Sequence, residues 1–306
     1  MEPLIKCNEL VKTFRGKDVL KRVSFEMPHG LTLILGRNGS GKTTLIRIIS
    51  TLIPPDSGKV SVKGHDVSDR QRIRQMISYL PQETLLDEVL TVGEIVTLHS
   101  KLFGASIEEA FEFVERIGIN DSKTLAGELS GGMKRRLCVA LSLIPDREIY
   151  LLDEPFEGID YAGKIIIQEM VRDKVKDGKS VILVSHTITG LENVADHVLI
   201  LDDGEILFSG PPEELSNEFP EIVVVDVDDP ADPIIERALN SELTVMPSER
   251  LCVVGDRNKI QKVVGGCKNR PIKKPSVGEV YAFLVSKQKK YRTSVNISSN
   301  YKYRLQ

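Results

Sequence analysis

The chain has 306 residues, 41% of them hydrophobic and 28% charged, with a net charge of -3 at pH 7. That is an ordinary globular balance, enough for one large domain plus a smaller one, and without the global basic field that would point to nucleic acid. No apolar run approaches the roughly 18 residues needed to cross a bilayer, Met1–Lys6 lacks the basic-then-apolar pattern of a secretory signal, and Cys7, Cys138, Cys252 and Cys267 form no Cys-x-x-Cys pair, so a soluble intracellular protein with reduced thiols is expected.

Alternation through Leu4–Phe14 and again through Val19–Phe25 predicts two strands. Leu31–Leu35 is a mostly apolar strand ending on a glycine-rich turn, after which Lys42–Ser50 places Leu45, Ile48 and Ile49 on one helical face. From Glu83 to Leu143 the periodicity is helical, with amphipathic stretches at Thr91–Phe103 and Ile107–Ile117, so residues 83–143 form a helical insertion. Ile149–Leu152 and Val181–Ser185 are near-continuous apolar strands. Strands of that kind separated by helices require a sheet covered on both faces, which predicts an α/β fold with a largely parallel sheet. Val198–Leu201 and Glu205–Phe208, joined through Asp202-Asp203-Gly204, form a hairpin that closes a first domain over residues 1–216.

A second pattern occupies residues 217–286. Ile222–Val227 and Leu251–Val254 are strand-like, and Pro233–Leu239, Lys259–Val264 and Val277–Ser286 are helical, which describes a small α+β domain. Residues 287–306 carry lysine and arginine but no acid, as expected of a solvated flexible tail; contact with anionic lipid is the sharper alternative.

The chemistry begins at Gly36-Arg37-Asn38-Gly39-Ser40-Gly41-Lys42-Thr43, a phosphate-cradling loop of the Gly-x4-Gly-Lys-Thr form set between a strand and a helix. Glycine lets the backbone curl so that several N–H groups face phosphate oxygens, and the helix N-terminus favours an anion there. Lys42 is placed to neutralise the outer phosphates, and the Thr43 hydroxyl to ligate Mg²⁺. Ile149–Leu152 runs into Asp153-Glu154, two acids at the end of a buried strand, where an unpaired charge is costly and therefore serves a ligand. Asp153 suits Mg²⁺ and Glu154 the attacking water. Leu129-Ser130-Gly131-Gly132 opens a helix, with Ser130 as its N-cap and two glycines leaving amides open to a second anion.

These motifs together resemble the ATP-binding-cassette ATPases. The likeness covers roughly Ile5 to Leu215 and rests on Gly36–Thr43, Gln82 in Tyr79-Leu80-Pro81-Gln82, Leu129–Gly132, Asp153-Glu154, Asp160 and His186. It implies a P-loop NTPase core with a helical subdomain and N-terminal β elements, and ATP and Mg²⁺ as ligands. It implies that Glu154, His186, Gln82 and Lys42 serve catalysis, and that Thr43, Gln82 and Asp153 serve the metal. Phe14 would lie under adenine, the loop from Gly36 through Thr44 would hold the phosphates, and Ser130, Gly131, Gly132 and Asp160 would face the nucleotide of an opposing cassette. Met133 stands where the family commonly has glutamine, and Phe14 where it commonly has tyrosine. The run Gly131–Arg136 with Pro275–Tyr281 is similar to the ABC-2-type exporters.

The family resemblance implies a second cassette, from a homodimer or a paralogue, and a separate transmembrane permease that holds the chain at the inner face of the cell membrane, with no nucleic acid. The apolar residues after Gln82, namely Leu85, Leu86, Val89 and Leu90, are expected to dock that permease. A non-transport relative acting on DNA or the ribosome is the competing class, but nothing here sustains a long coiled coil. A GTP switch is the other; its Asn-Lys-x-Asp is missing, because Asn258-Lys259-Ile260-Gln261 has the wrong last residue.

Overall fold

In a computed structural model of the chain, the strand Ile5–Phe14 mixes buried and exposed side chains, whereas the strands Leu31–Leu35, Ile149–Asp153, Ser180–Ser185 and His197–Asp202 bury every one. The described residues are 2–83, 86–187, 189–192, 194–219, 222–227, 232–241, 243–247, 251–264 and 271–288. β1 (Ile5–Phe14) and β2 (Lys17–Met27) pair antiparallel, and β3 (Leu31–Leu35) leads through the glycine turn into α1 (Lys42–Ile49). β4 (Ser57–Val62) and the short β5 (His65–Asp66) complete a four-stranded sheet ordered β2-β1-β4-β5. α2 (Arg70–Met76) feeds β6 (Ile77–Leu80), and α3 (Val92–Phe103), α4 (Ile107–Arg116) and α5 (Gly131–Leu143) precede β7 (Ile149–Asp153). Then come α6 (Tyr161–Lys176), β8 (Ser180–Ser185) and the hairpin of β9 (His197–Asp202) with β10 (Glu205–Gly210).

The central sheet is six-stranded, ordered β10-β9-β3-β8-β7-β6, with parallel pairing throughout except at β10. Strand register sets where the chemistry gathers. Leu35 pairs with Ser185, and Val184 with Asp153, so the residues after β3, β8 and β7 emerge side by side at the carboxyl end of the sheet. The core joins Leu45, Ile46, Ile48 and Ile49 of α1 to Ile34, Leu151, Ile182, Leu199 and Leu201 of the sheet and to Leu10, Leu20, Val60 and Val62. Each such side chain removed from water stabilises the fold by about 1.5–3 kcal/mol. That rigid block positions the turns above it.

The helical region has a backbone-stitched neck. Thr91 and Leu125 form an antiparallel bridge, and the amides of Val92, Gly93, Ala126 and Gly127 donate to Thr124, Ser122, Leu90 and Glu88 respectively. α3 opens with a capping box, in which Thr91 and Glu94 satisfy each other's backbone amides. α5 starts at Gly131, where the Ser130 side chain accepts from the Met133 amide and caps it.

β4, β6, α2 and α6 lie where the sequence leaves no element assigned. β6 is only Ile-Ser-Tyr-Leu, and in α2 a single residue, Ile73, is buried, so neither carries a periodic signal. The chain divides into two compact units, Met1–Pro212 and Glu213–Gln306. The break precedes the expected 216/217 boundary because α7 (Leu215–Glu218) packs on the helix Val277–Gln288 of the second unit. That unit continues with β11 (Ile222–Val227), α8 (Pro233–Asn240), β12 (Thr244–Pro247), β13 (Leu251–Asp256), α9 (Arg257–Val264) and α10 (Val277–Gln288). Its sheet, ordered β11-β13-β12, is antiparallel over its own core of Val223, Val225, Ile234, Val253 and Ile260. From residue 289 the expected basic tail lies outside the described residues, as does Leu85.

Candidate active site

The turn after β3 cannot carry side chains where it touches the sheet. A Cβ on Gly36 would lie 2.2 Å from the Leu201 carbonyl oxygen, and one on Gly41, at φ 108°, 2.8 Å from that of Val19. Gly41 is also the N-cap of α1 and offers no capping oxygen, so the first-turn amides keep their capacity for an anion. Asn38 and Gly39 are exposed, and the buried Ser40 hydroxyl has no partner among the described residues. Lys42, only 5% exposed, folds back so that Nζ donates to the carbonyls of Gly36 (2.7 Å) and Arg37 (2.9 Å). Burial pushes its ammonium below the ordinary lysine range, and Glu154 and Asp153 oppose that shift. Thr43 donates to Asp153 Oδ1 at 3.3 Å, and Thr44 follows it half-buried on α1.

Asp153 is fully buried, and its Oδ2 has no partner among the described residues. Burial raises its carboxyl above the usual range, which the Thr43 bond partly offsets. Glu154 sits at φ 50°, a left-handed conformation that costs a non-glycine residue about 1–3 kcal/mol. Its amide donates to the Val184 carbonyl (3.0 Å), His186 Nδ1 lies 2.8 Å from Oε1, and the Ser185 hydroxyl donates to Oε2 at 3.3 Å. Thus β3, β7 and β8 bring Lys42, Thr43, Asp153, Glu154 and His186 together.

The sequence alone assigns no role to Arg135, which is 3% exposed. Its Nη1 donates to the carbonyls of Pro81 (2.8 Å) and Gln82 (2.9 Å), and its Nη2 to those of Asp153 and Glu154 (2.9 Å). One guanidinium therefore ties α5 to the turn after β6 and to the strained turn after β7. A signal existed: with α5 starting at Gly131, Arg135, Val139 and Ser142 share one buried face, where a cation demands acceptors.

Gln82 is exposed, and its side-chain amide donates to Glu157 at 3.3 Å, so it reaches the acids through its backbone and Arg135. Phe14 is 45% exposed, with Lys12 Nζ 5.3 Å from the ring centroid. A further cluster forms where Ser130 caps α5, Asp160 caps α6, and a Cβ on Gly132 would meet the Gly158 carbonyl at 2.9 Å. Gly131 has open space around it. Arg37, expected within the phosphate site, pairs its side chain with Asp202.

Among the described residues no group of three or more His, Cys, Asp or Glu is placed to hold a metal. Mg²⁺ does not need one, since it takes one or two protein oxygens and fills its shell with phosphate and water. The orphaned, buried Asp153 Oδ2 beside Thr43 fits that donor set.

A sequence profile described as "ABC transporter" matches residues 20–157. The chain is 35% identical over 223 residues to Nod factor export ATP-binding protein I of Rhizobium sp. (strain N33), covering 71% of this chain and 73% of that one. It is 34% identical over 220 residues to the daunorubicin/doxorubicin resistance ATP-binding protein DrrA of Streptomyces peucetius, covering 70% and 67%. Among solved structures, the ATP-binding subunit of an ABC transporter shares the fold with a TM-score of 0.65 at 24% identity, over 71% of this chain and 93% of that one. A dimeric post-hydrolysis state of an ATP-binding cassette bound to ADP and Pi does so with a TM-score of 0.61 at 24% identity, over 68% and 98%. The chain therefore belongs to the ABC transporter family, as an ATP-binding subunit whose ATPase activity powers a transporter.

Proposed function

We propose that this ATPase drives an exporter of the ABC-2 type, with a separate transmembrane permease and a second cassette, homodimeric or paralogous, holding it at the inner face of the cell membrane. The observation that carries the hydrolytic part is Glu154, buried at the carboxyl end of β7 with His186 Nδ1 2.8 Å from one carboxylate oxygen and the Ser185 hydroxyl donating to the other. Such a fixed carboxylate orients a water for attack on the γ-phosphate, and His186 steadies it and reaches the same phosphate. Lys42 would leave the carbonyls of Gly36 and Arg37 for the outer phosphates. Mg²⁺, held by Thr43 and Asp153 with Gln82 nearby, would neutralise charge developing on the phosphate oxygens. Phe14 would stack on adenine, while Ser130, Gly131, Gly132 and Asp160 would meet the nucleotide held by the opposing cassette. Export is supported by relatives named for Nod factor export and for daunorubicin resistance.

Val89 is the best candidate to meet the permease. It is 78% exposed in the turn after Gln82, whereas Leu86 and Leu90 are half-buried, and the Leu90 carbonyl is bonded into the neck. The test is to purify the full chain from membranes with the permease it serves. Val89→Glu is expected to release the permease while leaving the free chain's ATP hydrolysis within about twofold, as surface substitutions usually do. Retention of the complex by Val89→Glu removes this docking surface. Recovery with ribosomes or DNA, and without a membrane protein, removes the exporter assignment.

A further inference from the structure

A cation in the second position of a phosphate loop invites the view that it grips phosphate. Its geometry points elsewhere. Arg37 Nε donates to Asp202 Oδ1 at 2.8 Å and Nη2 to Oδ2 at 3.1 Å, a fork-to-fork pair. The Asp202 side chain is 9% exposed and that of Arg37 29%, so the pair is largely shielded from water. Bidentate geometry fixes orientation as well as charge. Asp202 ends β9, and the next residues join the same brace: the Gly204 amide donates to the Ser40 carbonyl (3.1 Å), the Lys21 amide to the Gly204 carbonyl (2.9 Å), and Lys21 pairs with Asp203. The Arg37 carbonyl meanwhile accepts from Lys42 Nζ and from the Ser40 amide.

We infer that Arg37 is a positioning residue whose partner is Asp202: the pair pins the phosphate loop to the β9–β10 turn, so the loop holds its nucleotide-binding shape before nucleotide arrives. This rests on the assignment of residues 36–43 to the phosphates and deepens it. Arg37 brings no net charge to the nucleotide, because Asp202 neutralises it. Without the pair, the loop must be ordered during binding, and that cost falls on affinity for any nucleotide with a β-phosphate.

The test is calorimetric titration of the full chain with Mg-ATP and with Mg-ADP. Asp202→Asn is expected to weaken both by about threefold to tenfold, a usual range for one coupled pair, while turnover at saturating ATP falls less than about twofold. Arg37→Met should match it, the double variant should be no worse than either single change, and Arg37→Lys should not restore affinity, since lysine lacks the fork. Unchanged or tighter ATP binding in Asp202→Asn overturns the inference, because the freed guanidinium then serves phosphate directly. So does an Arg37→Met that loses affinity for ATP but not for ADP. If Asp202→Asn fails to fold, Arg37→Met and Arg37→Lys decide: equal weakening supports the brace, and rescue by lysine overturns it. Lys42→Ala, titrated alongside, separates the two levels. Should it bind normally, the loop assignment itself fails; should it lose binding while Asp202→Asn does not, only the brace fails.

Discussion

The turn after β3 and the turn after β7 leave the same carboxyl end of the parallel strands, yet they take their left-handed backbone in different ways. The first uses Gly39 and Gly41, at φ 80° and 108°, with its glycines packed directly on backbone and the Arg37–Asp202 pair as a brace from outside. The second uses Glu154 at φ 50° and is held by side chains, with Arg135 on its carbonyls and His186 and Ser185 on its carboxylate. Glycine adopts that conformation without steric cost and leaves amides free for an anion. A glutamate there stores strain that its neighbours must hold, which fixes its carboxylate at one point. Binding and hydrolysis should therefore separate under mutation.

The largest break in that contrast comes from one substitution in each turn. Glu154→Gln keeps shape but removes the charge, so hydrolysis should fall by about 10²–10⁴-fold, the usual contribution of a positioned proton acceptor, with ATP still bound. Light scattering should then detect an ATP-trapped dimer. Lys42→Ala removes a charge-assisted contact, so ATP affinity should fall at least about tenfold and no trapped dimer should form. A Glu154→Gln variant that turns over at the wild-type rate would end the assignment of Glu154 as the catalytic carboxylate.

Arg135→Met probes the side-chain scaffold of the second turn. It removes the guanidinium donor from the carbonyls of Pro81, Gln82, Asp153 and Glu154, of which that of Glu154 keeps a second donor, the Glu157 amide. Turnover should drop by about 10- to 100-fold with ATP affinity changed less than about threefold, and Arg135→Lys should recover part of the loss. If affinity and melting temperature decline in step with turnover, Arg135 serves the fold and not the geometry of Glu154.

The smallest effect concerns Asp153. Burial lifts its native carboxyl pKa above the unfolded value, so between the two the native state binds more protons. Its contribution to stability is then most favourable below the unfolded pKa and declines as pH rises through the native one. Asp153→Asn escapes that decline. In the absence of nucleotide and Mg²⁺, its melting point should exceed the wild type's near neutral pH, and the gap should close in acid. A gap that stays constant down to acid pH would show that the Asp153 charge carries no cost.

Legibility in the sequence divides along the same line. Gly36–Thr43 and Asp153-Glu154 announce themselves because their chemistry needs residue types in unbroken succession. The contacts of Glu154 with His186, of Arg37 with Asp202 and of Arg135 with four carbonyls depend on which strands lie side by side and in what register, and no contiguous pattern records that. Gln82 is legible by motif, but its side-chain bond to Glu157 rests on the loop after β7. α6 illustrates the limit for secondary structure: Gly163, Ile167, Met170 and Val171 form a buried helical face, which the adjacent, more exposed Ile165 and Ile166 blur.

The stitched neck between residues 88–93 and 122–127 has a consequence for how this chain can diverge. α3 and α4 hang from it as an appendage with joined ends. Lengthening such an appendage costs little, about 0.6 kcal/mol for each doubling of a flexible loop. The span from Gln82 to Ser130 that the neck defines stays fixed while the outline beyond it is free to change. Insertions between the α3 and α4 helices can therefore reshape the appendage without shifting Gln82 or Ser130 on the near side of the neck.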